Sequence, residues 1–374
     1  MNEEAIKLTS YFGERRRVAG PVLAGTVSAG TVLAGTVFAA DALLDQYGRH
    51  EIATSILLRG AEGFGAKRHP RTDMSLTLSE DLPLIAVAVD GRSRIEPLVS
   101  PTAEITGTGL VTLERARLLR DDIDPRDIEA VTPYYGGDQE TKLTIYLGRQ
   151  ERAYRMPAFM AVCDLLYRRG IAGATALLGV DGTAHGTRER AAFFSRNAGT
   201  PMMVIAVGAG AQILRVLPEL GGLLHRPLLT LEQVRICKRD GELLATPAAL
   251  PAADSSGMPV WHKLMVYTSE AALHDGQPVH RAIVRRLRAA GLSGATTQRG
   301  MWGFHGDHAP HGDRLLQAGR HVPTVTIVID SPERIAAAFA IIDELTAEQG
   351  LVTSEWVPAI RPGGQSPRMP AVPR

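Results

Sequence analysis

Lys7-Leu8-Thr9-Ser10-Tyr11-Phe12 returns as Lys142-Leu143-Thr144-Ile145-Tyr146-Leu147 and again as Lys263-Leu264-Met265-Val266-Tyr267. A strand-like run that occurs three times is the signature of an internal repeat, and the sequence around each occurrence keeps the same register. Each run is followed by a stretch that opens on proline and closes on glycine: Pro21 to Gly48, Pro157 to Gly170 and Pro278 to Gly291. That is ordinary helix punctuation, since proline suits the first turn and glycine the position just past the last. Glycine pairs follow at Gly60/Gly63, Gly179/Gly182 and Gly300/Gly303, and proline-initiated apolar runs start at Pro83, Pro201 and Pro323, spaced from the first glycine by 23, 22 and 23 residues. Each copy closes on a similar strand: Leu110-Val111-Thr112-Leu113-Glu114, Leu228-Leu229-Thr230-Leu231-Glu232 and Leu351-Val352-Thr353-Ser354-Glu355.

The helical windows repeat apolar residues at helical spacing, as at Phe159, Val162, Leu165 and Leu166, whereas Met202 to Val207 is the short continuous apolar run of a buried strand. The order within a copy therefore reads β-α-β-β-α-β, the ferredoxin-like split β-α-β, and the fold class is α+β. Helices cover one face of such a sheet, so the other must be buried elsewhere. Three ferredoxin-like repeats packed as a pseudo-trimer satisfy that need within one chain. The expected domains are residues 1–120 with an insertion at about 22–37, then 139–240 and 260–361, with 362–374 as a disordered tail rich in proline. Breaker-rich linkers separate the repeats at Asp121 to Asp138 and Pro247 to Met258.

Composition narrows the functional classes. Lys+Arg 41 against Asp+Glu 40 gives no overall cationic field for nucleic acid. Cys163 and Cys237 have no metal-like spacing and form no disulfide framework, which fits a reducing, cytoplasmic setting. The uncharged stretch Val18 to Ala40 is loaded with glycine and threonine, so it reads as retained chain and not as a signal or a membrane span. Its Ala-Gly-Thr-Val units repeat every five residues, a period that cannot hold one apolar helix face.

The Lys-Leu-Thr-Ile-Tyr strand, the Gly60-Ala61-Glu62-Gly63-Phe64-Gly65 turn and the Gly109-Leu110-Val111-Thr112 closing strand resemble the domain-of-unknown-function family of PII-like proteins. The resemblance is fullest over residues 5–119, with 141–238 and 262–360 as diverged copies. It implies ferredoxin-like domains assembled as trimers with their sheets toward a central axis. It also implies effector clefts between neighbours that commonly take adenine nucleotides, and a long loop between strands two and three that touches a protein partner, a membrane transporter or channel being one such class.

On that footing Gly60, Gly63, Phe64, Gly65, Lys67, Arg68, Gly300, Gly303, Phe304 and Arg117 are the candidate ligand-binding residues, for backbone amides freed by glycine approach a phosphate closely. In the second copy Thr183 stands where the aromatic is expected. A separate candidate is the loop holding His305, Asp307, His308 and His311, whose imidazoles and carboxylate suit a divalent metal. No Ser-His-Asp, Cys-His or paired-carboxylate arrangement recurs across the copies, so an enzyme is not expected. Glu114, Glu232 and Glu355 do recur, and read as surface carboxylates at a strand edge. The expected function is a regulatory protein that senses a small anionic effector, without an obligatory cofactor, as a monomeric pseudo-trimer. The alternatives are ion homeostasis through the histidine loop, or an adaptor that binds no ligand.

Overall fold

The structure, a computed structural model, describes residues 2–19, 36–65, 71–72, 81–137, 139–184, 187–188, 200–251, 253, 259–306, 309–312 and 322–360. The expected tail and most of the expected insertion lie outside these residues; Thr36–Phe38, at the insertion's end, pairs with Arg17–Ala19. In the first copy the principal elements are β1 (Asn2–Gly13), α1 (Ala39–Arg49), β2 (Thr54–Arg59), β3 (Glu62–Phe64), β4 (Pro83–Gly91), α2 (Val99–Thr106) and β5 (Leu110–Arg120). A connecting helix, α3 (Pro125–Tyr135), leads to the second copy: β6 (Glu140–Gly148), α4 (Ala158–Arg168), β7 (Gly173–Leu178), β8 (Asp181–Ala184), β9 (Pro201–Ala209), α5 (Gly210–Leu223) and β10 (Leu228–Arg239). The third comprises β11 (Val260–Ser269), α6 (Val279–Ala289), β12 (Ala295–Arg299), β13 (Trp302–His305), β14 (Pro323–Asp330), α7 (Pro332–Leu345) and β15 (Leu351–Ile360).

Helices and an antiparallel sheet make an α+β fold. The strand order is β2-β4-β1-β5 in the first copy, β7-β9-β6-β10 in the second and β12-β14-β11-β15 in the third, every neighbouring pair antiparallel. The short strands β3, β8 and β13 are arms that leave their own copy. Arm β8 pairs with β2 of the first copy, β3 with β12 of the third, and β13 with β7 of the second. The closing strands also join in a cycle, β5 to β10, β10 to β15 and β15 to β5.

Period-two alternation decides what each strand buries. Leu8, Leu143 and Leu264 face the helices, in three separate apolar cores, one beneath each copy's helices. The opposite sheet faces meet one another: Ile85 and Val87, Met203 and Ile205, and Val325 and Ile327 share a fourth core drawn from all three copies. The uncovered sheet faces thus bury each other within the chain, as the sequence requires.

The linker after β5 holds the helix α3 despite Pro125 and Pro133. Pro125 occupies the first turn, where no amide partner is lost, and Asp124 caps it by accepting from the amides of Arg126 and Asp127. No helix among the described residues is long and apolar enough to cross a membrane.

Candidate functional site

The central strands β1, β6 and β11 turn Lys7, Lys142 and Lys263 toward the shared core, each directly opposite a glutamate of the closing strand: Lys7 against Glu114, Lys142 against Glu232, Lys263 against Glu355. All six side chains are buried, at 1–8% exposure. The glutamates are therefore not surface carboxylates, and that expectation is corrected: strand alternation and register set them opposite the lysines on the face turned to the shared core, where a carboxylate persists only if paired.

The pairing is cyclic. Lys7 lies 3.0 Å from Glu114 and 3.0 Å from Glu232, Lys142 lies 3.0 Å from Glu232 and 2.7 Å from Glu355, and Lys263 lies 3.0 Å from both Glu355 and Glu114. Each ammonium joins its own copy's glutamate to the next copy's, and the chain of contacts closes on itself. The three carboxylates approach within 4.8 Å of one another, close enough to hold a metal ion. Each already faces at least two ammonium groups, Lys142 also lying 3.9 Å from Glu114, and three lysines against three glutamates leave the ring electrically balanced as it stands. Burial alone would raise the Glu114 and Glu355 carboxyls, but the surrounding lysines, Lys263 first for Glu114 and Lys142 first for Glu355, hold both below the usual carboxylate range. Burial likewise opposes charge on the lysines, and the glutamates overcome it, raising Lys7, Lys142 and Lys263 above the ordinary value.

Two residues further along each strand, Thr9, Thr144 and Met265 form the next layer, and Tyr11, Tyr146 and Tyr267 the one after. Thr9 and Thr112 donate to Glu114. Burial pushes all three tyrosines up to about 12. The repetition of these lysines and glutamates is visible in the sequence, but their pairing is not; the available signal is a single lysine heading each copy's first strand run, in which no other residue is charged.

The glycine pairs sit at the seams between copies. The amides of Gly60, Gly179 and Gly300 donate to the carbonyls of Pro83, Pro201 and Pro323, and those of Ala61, Val180 and Met301 donate across the seam to Thr297, Leu57 and Ala176. A Cβ at Gly63 would stand 2.5 Å from the Ala295 carbonyl oxygen, and one at Gly182 would stand 2.2 Å from that of Ser55. Glycine is needed there so that an arm can lie against the next copy's strand. Phe64 then enters the third copy's core and Phe304 the second's, its ring 5.3 Å edge-on from Tyr167. Thr183, in the corresponding place of the second copy, bonds Ser55 Oγ at 2.9 Å instead. Gly65 follows at the seam's margin with open space around it.

Arg117 is separated from these turns, on the opposite edge of the first sheet, where its guanidinium stacks on Tyr134 of α3 at 4.9 Å. Lys67, Arg68, Asp307 and His308 lie outside the described residues. Of the expected metal ligands, His305 is buried with Nδ1 4.0 Å from Asp240 Oδ1, and His311 Nδ1 lies 3.0 Å from the Ala309 carbonyl.

The model of the DUF190 family, described as an uncharacterized ACR, matches residues 31–118, 140–236 and 261–359, three copies in the order the strands mark out, with β1 and Lys7 preceding the first match. The chain belongs to the PII-like DUF190 family, in three tandem copies. A UPF0166 protein of Aquifex aeolicus (strain VF5) is 30% identical over 98 residues, which are 26% of this chain and 90% of that relative. Among solved structures, an aspartate kinase from Synechocystis aligns at 10% identity and a TM-score of 0.22, covering 95% of this chain and 44% of the kinase. A likeness that faint carries no argument for this DUF190 chain.

Proposed function

We propose that the protein is a PII-like regulator, not an enzyme, that senses a small anionic effector at the seams between its copies and acts on a protein partner. In this reading each copy is a ferredoxin-like repeat, occupying 1–120, 139–240 and 260–361, and the three form a pseudo-trimer within one chain. The observation that supports it most is the cyclic exchange of arms. Every glycine turn lies against a neighbouring copy, the relationship on which PII-like effector clefts are built, and the segments between strands two and three leave from those seams. In this reading Gly65 supplies a backbone amide to a phosphate, and the sequence continues into the cations Lys67 and Arg68. An adenine nucleotide is the first ligand to try, and cytoplasm the expected location. Calorimetric titration with ATP, ADP, AMP, cyclic nucleotides and bicarbonate tests the reading: saturable heat with one of them supports it, and flat titrations with all of them remove the effector-sensing role.

A second reading, ion handling through the histidine loop, draws support from the approach of His305 to Asp240. Metal analysis of purified protein, beside a His308→Ala/His311→Ala variant, separates the two. A stable partner complex with flat titrations of both kinds favours an adaptor.

A further inference from the structure

The first helix of each copy must fill the core beneath it with its inner face. In the third copy Val279, Ala282, Ile283 and Leu287 of α6 do this. The outer positions are free to vary, and the copies use them differently. Helix α1 carries Asp41, Asp45 and Arg49, and α4 carries Asp164 and Arg168, whereas α6, Val-His-Arg-Ala-Ile-Val-Arg-Arg-Leu-Arg-Ala, carries four arginines and no acid. Arg286 is bound by Glu344 of α7 at 2.6 Å. Arg281, Arg285 and Arg288 fall at i, i+4 and i+7, one stripe of the helix surface, with Arg285 exposed and the other two partly so. Like charges at this spacing repel and weaken a helix, and of the three only Arg288, in the last turn, is favoured by the helix dipole. Leu273, 55% exposed, stands on the Leu273–Pro278 hairpin that leads directly into this helix.

We propose that the outer face of α6 is a docking surface for an anionic lipid bilayer. Long guanidinium side chains in a row on the outer side of a helix suit a laterally fluid sheet of phosphate and carboxylate headgroups better than they suit a shaped acidic protein. An exposed leucine beside the stripe supplies the apolar contact that interfacial helices use. Three arginines near such a surface raise partitioning roughly a hundredfold over a neutral membrane, and salt screens the gain. The inner side of α6 meets Phe64 of the arm β3, whereas the arginine stripe lies on the outer side, so vesicle binding is read apart from the effector titrations.

The test is co-sedimentation of the full chain with vesicles of phosphatidylcholine alone or with about 30% phosphatidylserine, at low and high salt. The expected result is binding to the anionic vesicles only, lost at high salt and reduced at least tenfold by Arg281→Ala/Arg285→Ala/Arg288→Ala. A charge-matched Arg49→Ala/Arg126→Ala/Arg168→Ala variant should still bind. Absence of binding to anionic vesicles, or equal loss in both variants, overturns the proposal. So does soluble polyglutamate bound with the same dependence on α6 and in preference to vesicles, which would assign the face to an acidic protein instead.

Discussion

At the scale of single residues, the Lys–Glu ring dictates a hierarchy of substitutions. Lys142→Ala leaves Glu232 and Glu355 each short of an ammonium in a buried setting, and should cost about 3–5 kcal/mol. Lys142→Met combined with Glu355→Gln removes charge from both sides and should cost less than the sum of the two single changes; urea unfolding of the three variants measures this coupling. The pH dependence follows from the direction of each shift. The lowered carboxyls of Glu114 and Glu355 contribute stability that is present above the unfolded value of about 4.3 and lost as pH falls through their folded values. The raised lysines contribute stability that is complete below about 10.4 and lost above their folded values. The ring's own contribution is therefore level between roughly pH 5 and 10. His262 adds an earlier acid limb, because burial pulls it down to about 4: its contribution is present above about 6.5 and fades as pH falls toward its folded value. Melting temperature against pH should show a shallow decline below about 6.5 that His262→Gln removes, then a steep one below about 4 that it leaves. The three lysines and three glutamates are visible as repeats, but their partners are not, because pairing across 149 or 225 positions of chain is a property of the closed cycle and not of any local window.

Among the elements, the strands and core-facing helices can be read from the sequence because alternation and helical spacing record burial directly. The arms cannot: β3, β8 and β13 are too short to show a period, and their pairing is with another copy. Their glycines are legible as turn residues, and the contact that demands them appears only when Ala295 and Ser55 are brought alongside. Gly182→Ala sets a Cβ against the Ser55 carbonyl and should destabilise the chain by about 1–3 kcal/mol. Hydrogen exchange should rise first at Thr54–Leu57, the paired strand, and an unchanged rate there would show that the arm does not bind as described. Helix α3 is hidden by its prolines, yet its start is written in Asp124-Pro125-Arg126-Asp127, a cap with proline just inside it. Asp124→Ala should cost about 1 kcal/mol by removing that cap, measurable as a shift in the urea midpoint.

For the whole molecule, the shared core predicts that the copies do not unfold one by one. Ile205→Asp places an unpaired carboxylate where all three sheets meet, and should lower one common transition seen by every probe instead of splitting off the second copy. Light scattering should give the 40.2 kDa of one chain, and three times that mass would mean that copies pair between chains. A last consequence belongs to Met265, which stands where the other copies have Thr9 and Thr144. In an assembly of three identical subunits every substitution arrives in triplicate, so a change costing about 1 kcal/mol at one position costs about 3 in all, and an improvement for one seam is imposed on the others. Here a substitution is felt once. Heredity can therefore revise one sector while its two neighbours keep the inherited arrangement, and a methionine among threonines, or arginines on a single outer helix, are the marks of that freedom.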